Sequence, residues 1–209
     1  MPLIKNSDIK QSASLKISVK IYSDLREEYL NSGYEEFSYI QSDKDSNISA
    51  IIFALPIGIA YFIIASLLNR NVFYFGESVF LINLLLVFAS TPIHELFHGL
   101  GWSYFCRYGF KSIYIYLPVS LSNAYCHCAE PFNFKKYAFG TMLPMILLSI
   151  LPFIISLIFQ NTILFWFSIF SAFGCGCDIK NTLIAYKHRD EIFLDYPSNC
   201  GFTSYKKKD

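Results

Sequence analysis

Charge is scarce in this sequence. Asp, Glu, Lys and Arg make up 16% of the 209 residues, against roughly 25% in soluble domains, and the net charge is only +1. No basic patch is interleaved with aromatics, which argues against a nucleic-acid partner. Lys206-Lys207-Lys208 reads instead as a tail lying against anionic headgroups. Histidine occurs at four positions only. Internal repeats and low-complexity tracts are absent. So is the basic–apolar–cleavage pattern of a secretory signal peptide, which leaves the first apolar run as the insertion signal.

What fills the space is apolar: 54% of the residues are hydrophobic and 18% aromatic. Four segments are long enough to cross a bilayer. They are Ile48 to Leu68, Val79 to Gly101, Tyr137 to Phe159 with Pro144 and Pro152 inside it, and Thr162 to Tyr186, interrupted only by Asp178 and Lys180. Gln160 and Asn161 alone separate the last two, a tight helical hairpin. The expected fold is an all-α membrane protein of about four transmembrane helices, with a short cytoplasmic β-hairpin between helices 2 and 3. Its parts are an N-terminal cytoplasmic segment (1–47), a transmembrane domain (48–186) and a cytoplasmic tail (187–209). With both termini inside, 15 of the 17 Lys and Arg residues fall on the cytoplasmic side.

The second span carries His94-Glu95-Leu96-Phe97-His98. Histidines four apart share one helix face, where both imidazoles can bind one Zn²⁺. The adjacent glutamate is placed to act as base on a zinc-activated water. Ionisable groups in hydrocarbon cost a few kcal/mol each on insertion scales, so a pattern of them there points to a task.

Depth selects a third ligand. His94 lies sixteen residues after Ser78 and Asp178 sixteen after Thr162, so in parallel helices both sit about 24 Å down. Asp178 is therefore the expected partner of the histidine pair, leaving a fourth tetrahedral position for water. Two alternatives stay open: Asp178 pairs with Lys180 or Lys187, or Glu130 supplies the carboxylate.

His94-Glu95-x-x-His98 in a membrane helix, a cytoplasmic loop, and then Gly174-Cys175-Gly176-Cys177-Asp178 resemble the family described as "putative zincin peptidase". These are bacterial integral membrane proteins, originally a domain of unknown function, similar in plan to the site-2 intramembrane metalloproteases. Glu130-Pro131-Phe132 through Lys136-Tyr137 carries the same likeness, which spans roughly Phe75 to Tyr186. Cys175 and Cys177 depart from the small residues usual in that family before the aspartate. The resemblance implies a zinc metallopeptidase in the bacterial cytoplasmic membrane, with His94, His98 and Asp178 as metal ligands and Glu95 as catalytic base. Its partners would be the lipid bilayer and a peptide or membrane-protein substrate.

Other residues offer supporting chemistry. Gly99 and Gly101 permit close backbone approach, and Pro92 is expected to bend its helix. His127, Asn123 and Asn181 are candidates to stabilise an oxyanion. Ser112 to Leu117 and Asn123 to Cys128 read as two strands around Pro118 to Ser122, able to bind an extended substrate by strand addition or to lie on the membrane surface. All six cysteines fall near the inner side, where thiols stay reduced. Cys126-x-Cys128 with Cys175-x-Cys177 could form a four-thiolate site. Ser14 to Tyr22 alternates as a short strand would, and Asp24 to Tyr39 suggests a surface helix. A non-catalytic metal- or peptide-binding scaffold, or a metal carrier or sensor, competes with the enzyme reading.

Overall fold

The computed structural model describes residues 13–117 and 124–208; Pro118 to Asn123, and with them the expected inter-strand loop and the candidate Asn123, lie outside the described residues. The first apolar run forms α2 (Asp43–Leu67), its first turn capped by Ser42 Oγ accepting from the Asp45 amide. The second forms α3 (Glu77–Ser103), opening on an acidic residue that suits the positive end of the helix. α3 runs through Pro92 without interruption, and the Ser90 and Thr91 hydroxyls donate to the Val87 carbonyl beside it.

The third run begins with α4 (Phe134–Pro144), capped by Asn133. A π-helical stretch follows Pro144 over Met145–Ile150, and α5 (Leu151–Phe159) completes the span. Such adjustments re-satisfy backbone that proline cannot. Gln160, in the left-handed region at φ 49°, ends α5, and Asn161 caps α6 (Thr162–Gly174), so the tight hairpin forms as expected.

The fourth run is not one helix. It breaks at Cys175, and α6 meets α7 (Gly176–Lys187) at 52°. Glycine on both sides of Cys175 is the physical reason, since glycine supports helical continuation poorly. Among the described residues, three helices are long and apolar enough to cross a membrane, or four if the bent pair counts as one span. Their outward faces are apolar: Ile51, Leu55, Ile59 and Ile63 on α2 and Leu81, Leu84, Leu85 and Phe88 on α3 are all exposed, as lipid contact requires.

The rest corrects the all-α expectation. Residues expected as a strand, Ser14 to Tyr22, belong to a helix, α1 (Ala13–Asn31). Leu15, Ser18 and Tyr22, three and four residues apart, share one helical face, and that face packs inward: Leu15 and Ser18 are buried and Tyr22 Oη donates to Thr203 Oγ1 at 3.2 Å. The expected surface helix over Asp24 to Tyr39 is cut at Gly33, φ 79°, and continues as β1 (Tyr34–Ile40). β1 pairs antiparallel with β5 (Gly201–Lys207), and β5 with β4 (Ile192–Asp195), giving the order β1-β5-β4. Arg26 Nε to Glu36 at 2.6 Å and the Tyr29 ring stacked on Tyr205 bind α1 to this sheet.

Between α3 and α4, β2 (Ile113–Tyr116) and β3 (Tyr125–Cys128) form the expected hairpin. One apolar core, built from Trp102, Ile113, Cys126, Phe132, Tyr137, Phe193 and Phe202 among others, joins the end of α3, the hairpin, α4 and the sheet. Because β1 precedes the first span and β5 follows the last, both flanking segments lie at the same end of the helices.

Glycines set the spacing. A Cβ on Gly101 would stand 2.7 Å from Gly140 Cα, so α3 and α4 touch backbone to backbone. Replacing Gly101 with Ala is expected to force the helices apart and cost about 1–3 kcal/mol. Gly174→Ala, where nothing lies within 4 Å, should remain within about 1 kcal/mol of wild type. Thermal unfolding of both variants in detergent checks the pair.

Candidate metal centre

His94, His98 and Trp102 recur every four residues and share one face of α3. Trp102 donates its indole N–H to the Tyr137 carbonyl at 3.1 Å, and its ring stacks on His98 with centroids 5.4 Å apart. His98 Nδ1 lies 3.0 Å from the Gly140 carbonyl. That oxygen can only accept, which assigns the proton to Nδ1 and leaves Nε2 as a lone pair. The lone pair faces His94 Nε2 at 3.0 Å.

Asp178 arrives from the first turn of α7. Its Oδ2 is 3.3 Å from His94 Nε2 and its Oδ1 3.5 Å from His98 Nε2. The bend after α6 thus delivers Asp178 to the histidine pair. Lys180 points elsewhere, over the Tyr39 ring, and the ion-pair partners of Asp178 among the described residues are the two histidines. Asp178 is 8% exposed and His98 6%, and Asp178 Oδ2 makes no hydrogen bond.

These separations match a zinc site. Ligand atoms about 2.0–2.1 Å from a tetrahedral zinc stand about 3.3 Å from one another. The buried Asp178 carboxylate and the inward lone pair of His98 also need a donor or a positive charge beside them. The donor set therefore fits a divalent cation. Cys175 borders it: its Sγ is 4.0 Å from His94 Nδ1, and His94, Cys175 and Asp178 offer ligand atoms within 4.8 Å of one another.

Glu95 is half-buried beside this triangle. The hairpin packs on α3 at Gly99, where a Cβ would lie 2.8 Å from Ile113 Cγ2 and 3.4 Å from Cys126 Sγ. That contact directs the Cys126 amide at the Glu95 carboxylate. The next amide on the same edge of β3, that of Cys128, donates to Asp195 Oδ2 at 3.3 Å. Asp195 also meets His127 Nδ1 at 3.3 Å, while His127 Nε2 is buried without a partner. Burial pushes the Asp195 carboxyl above its ordinary range, and the contact with His127 opposes that shift.

Other sequence candidates are occupied differently. Asn181 is tied to Gln41 Nε2 at 2.9 Å and to Cys200 Sγ at 3.2 Å. Cys177 is joined to Cys200 in a disulfide; the expectation of six reduced thiols is corrected accordingly. Cys177 is thereby withdrawn from any four-thiolate site with Cys126, Cys128 and Cys175. Glu130 builds a turn rather than a metal site: it accepts from the Arg107 amide at 2.8 Å, the Tyr108 amide at 3.2 Å and the Ser112 hydroxyl.

Sequence reading missed the Gly140 carbonyl, Trp102 and Asp195. Trp102 had a signal, being four residues past His98 on the same face. Asp195 had none, since only the sheet brings it to His127.

A family model described as "putative zincin peptidase" matches residues 87–193, just over half of the chain. No curated protein and no solved structure matches it.

Burial raises the Glu130 carboxyl, but the hydrogen bonds from Ser112 and from the Arg107 and Tyr108 amides outweigh it and hold the group below its ordinary value. A depressed carboxylate stabilises the fold above its unfolded pKa and loses that contribution as pH falls through the folded value. Hydrogen-exchange protection of the Arg107 and Tyr108 amides is therefore expected to fall at pH values below the usual glutamate range. Glu130→Gln should remove this pH dependence.

Proposed function

The chain belongs to that zincin family, and on this premise we propose that it is an integral-membrane zinc metallopeptidase. It hydrolyses peptide bonds of membrane-embedded or membrane-adjacent substrates near the cytoplasmic face, in the manner of site-2 proteases. The observation that carries the reading is the triangle of His94 Nε2, His98 Nε2 and Asp178, with edges of 3.0, 3.3 and 3.5 Å. These three residues would hold the zinc. When bound, zinc supplies a Lewis acid that polarises a carbonyl and lets water lose a proton near neutral pH.

The protein residues do the remaining work. Glu95 takes the proton from the attacking water onto its carboxylate and returns it to the leaving amine nitrogen. The Gly140 carbonyl fixes the His98 tautomer, as partners of ligating histidines generally do. The hairpin of β2 and β3 packed beside Glu95 is the element to which an extended substrate adds as a further strand. His127, held by Asp195, is the candidate to polarise the scissile carbonyl.

The site lies in the bacterial cytoplasmic membrane with both termini cytoplasmic. The pairing of β1 with β5 and the concentration of basic residues in the segments flanking the sheet and hairpin support that orientation. The bilayer and a peptide or membrane protein are its partners. Cys175 beside His94 favours a second reading, a metal-binding scaffold or sensor without catalysis.

Zinc stoichiometry of detergent-purified protein separates the two. Wild type and Glu95→Gln are expected to bind one zinc, while His98→Ala and Asp178→Ala weaken binding by about 10–100-fold or more. Cleavage of a transmembrane peptide should fall by about 10²–10⁴ in Glu95→Gln. Zinc retained through both ligand substitutions would sink the assignment. Zinc binding that depends on His98 and Asp178, with no cleavage by wild type, would favour the scaffold.

A further inference from the structure

The sequence has six cysteines. Cys177 and Cys200 are bonded, Cys175 borders His94, and Cys126 packs on Gly99. The remaining two, Cys106 and Cys128, are free thiols whose sulfurs stand 3.3 Å apart. We propose that Cys106 and Cys128 form a redox-active dithiol, a modification site that a small disulfide converts to an intramolecular disulfide.

Three observations support this. Forming a bond of 2.03–2.05 Å requires the sulfurs to close by only about 1.3 Å from their 3.3 Å separation. The two thiols also differ in access: Cys106 is half-buried in the turn after α3, while Cys128, at the end of β3, is 1% exposed. Their acidities differ in the same sense. The hydrogen bond from Cys128 holds the Cys106 thiol below its ordinary value, with help from Lys136 and Ser112, whereas burial pushes Cys128 well up. An accessible, more acidic thiol backed by a buried one is the arrangement of an attacking and a resolving cysteine. A metal at this pair lacks a third ligand: among the described residues, the group able to hold an ion is His94, Cys175 and Asp178.

The step balances. The Cys106 thiolate attacks one sulfur of a disulfide RSSR and expels RS⁻, leaving a mixed disulfide. Cys128 then gives up its proton to RS⁻ and attacks Cys106 Sγ, expelling the second RS⁻, which takes up the proton Cys106 released on forming its thiolate. Two protein thiols are oxidised, and one RSSR becomes two RSH. The new bond ties the C-terminal end of the His94–His98 helix to the strand whose amides face Glu95 and Asp195, a second anchor beyond the Gly99 contact. This inference stands apart from the peptidase reading.

The test uses full-length protein in detergent, reduced and then equilibrated in glutathione redox buffers, alkylated, and mapped by peptide mass spectrometry. Wild type should yield a Cys106–Cys128 linked peptide, with the Cys177–Cys200 link as internal control. Cys128→Ser should trap glutathione on Cys106, and Cys106→Ser should leave Cys128 unmodified. The proposal is overturned if both thiols of wild type remain alkylated in buffers that restore Cys177–Cys200. Glutathionylation of Cys128 in Cys106→Ser, to the extent seen on Cys106 in Cys128→Ser, would overturn the assigned order of attack.

Discussion

Two imidazole nitrogens and a carboxylate, from half-buried His94 and buried His98 and Asp178, converge within 3.5 Å of one another. In water such a cluster would relax apart. Here burial of His98 and Asp178 removes that option, so the arrangement calls for a positive charge or a shared proton at its centre and rigid walls around it. Much of the helical scaffold meets the second demand. The Gly101–Gly140 contact brings the Gly140 carbonyl to His98, and Trp102 stacks behind that ring. On the opposite side, a would-be Cβ on Gly176 meets Ala50 Cα at 2.4 Å, so α7 is pressed directly on α2 at the turn that carries Asp178.

The extramembrane parts serve the same centre from one side. Gln41, just past β1, reaches Asn181 on α7, and Ser49 on α2 donates to Gln41 at 2.9 Å. Phe132 and Phe193 exchange backbone hydrogen bonds of 2.9 and 2.7 Å, joining the segment before α4 to β4. Asp195 at the end of β4 then meets His127 and Cys128. Sheet and hairpin are thus one structure with respect to the site, although they share no ladder.

What the sequence made legible follows from locality. The four-residue spacing of His94 and His98 is a helical signal. Equal depth from the preceding loops placed Asp178 beside the histidine pair, where the structure has it, even though the helix assumed for it is broken, because α6 carries the chain to Gly174 before the bend. Ser14 to Tyr22 was ambiguous for a physical reason: over nine residues its apolar positions fit periods of both 2 and 3.6. The role of Glu130 depends on amides more than twenty residues away, and that of Asp195 on a strand register. Neither leaves a local pattern. The disulfide partner of Cys177 lies across the same non-local sheet.

The strand order β1-β5-β4 has a bearing on biosynthesis. A chain is made from its N-terminal end, so β1 leaves the ribosome long before its partner and must wait while every membrane helix is inserted. The strand that ends the wait is the central one, paired on both sides. Until residues 201–207 emerge, β1 and β4 are both bare edges, and the loop that must close between 40 and 201 takes up most of the chain. Insertion into the membrane thus precedes completion of the sheet, and a chain stopped only nine residues short of position 209 would leave the membrane helices made and the sheet without its middle.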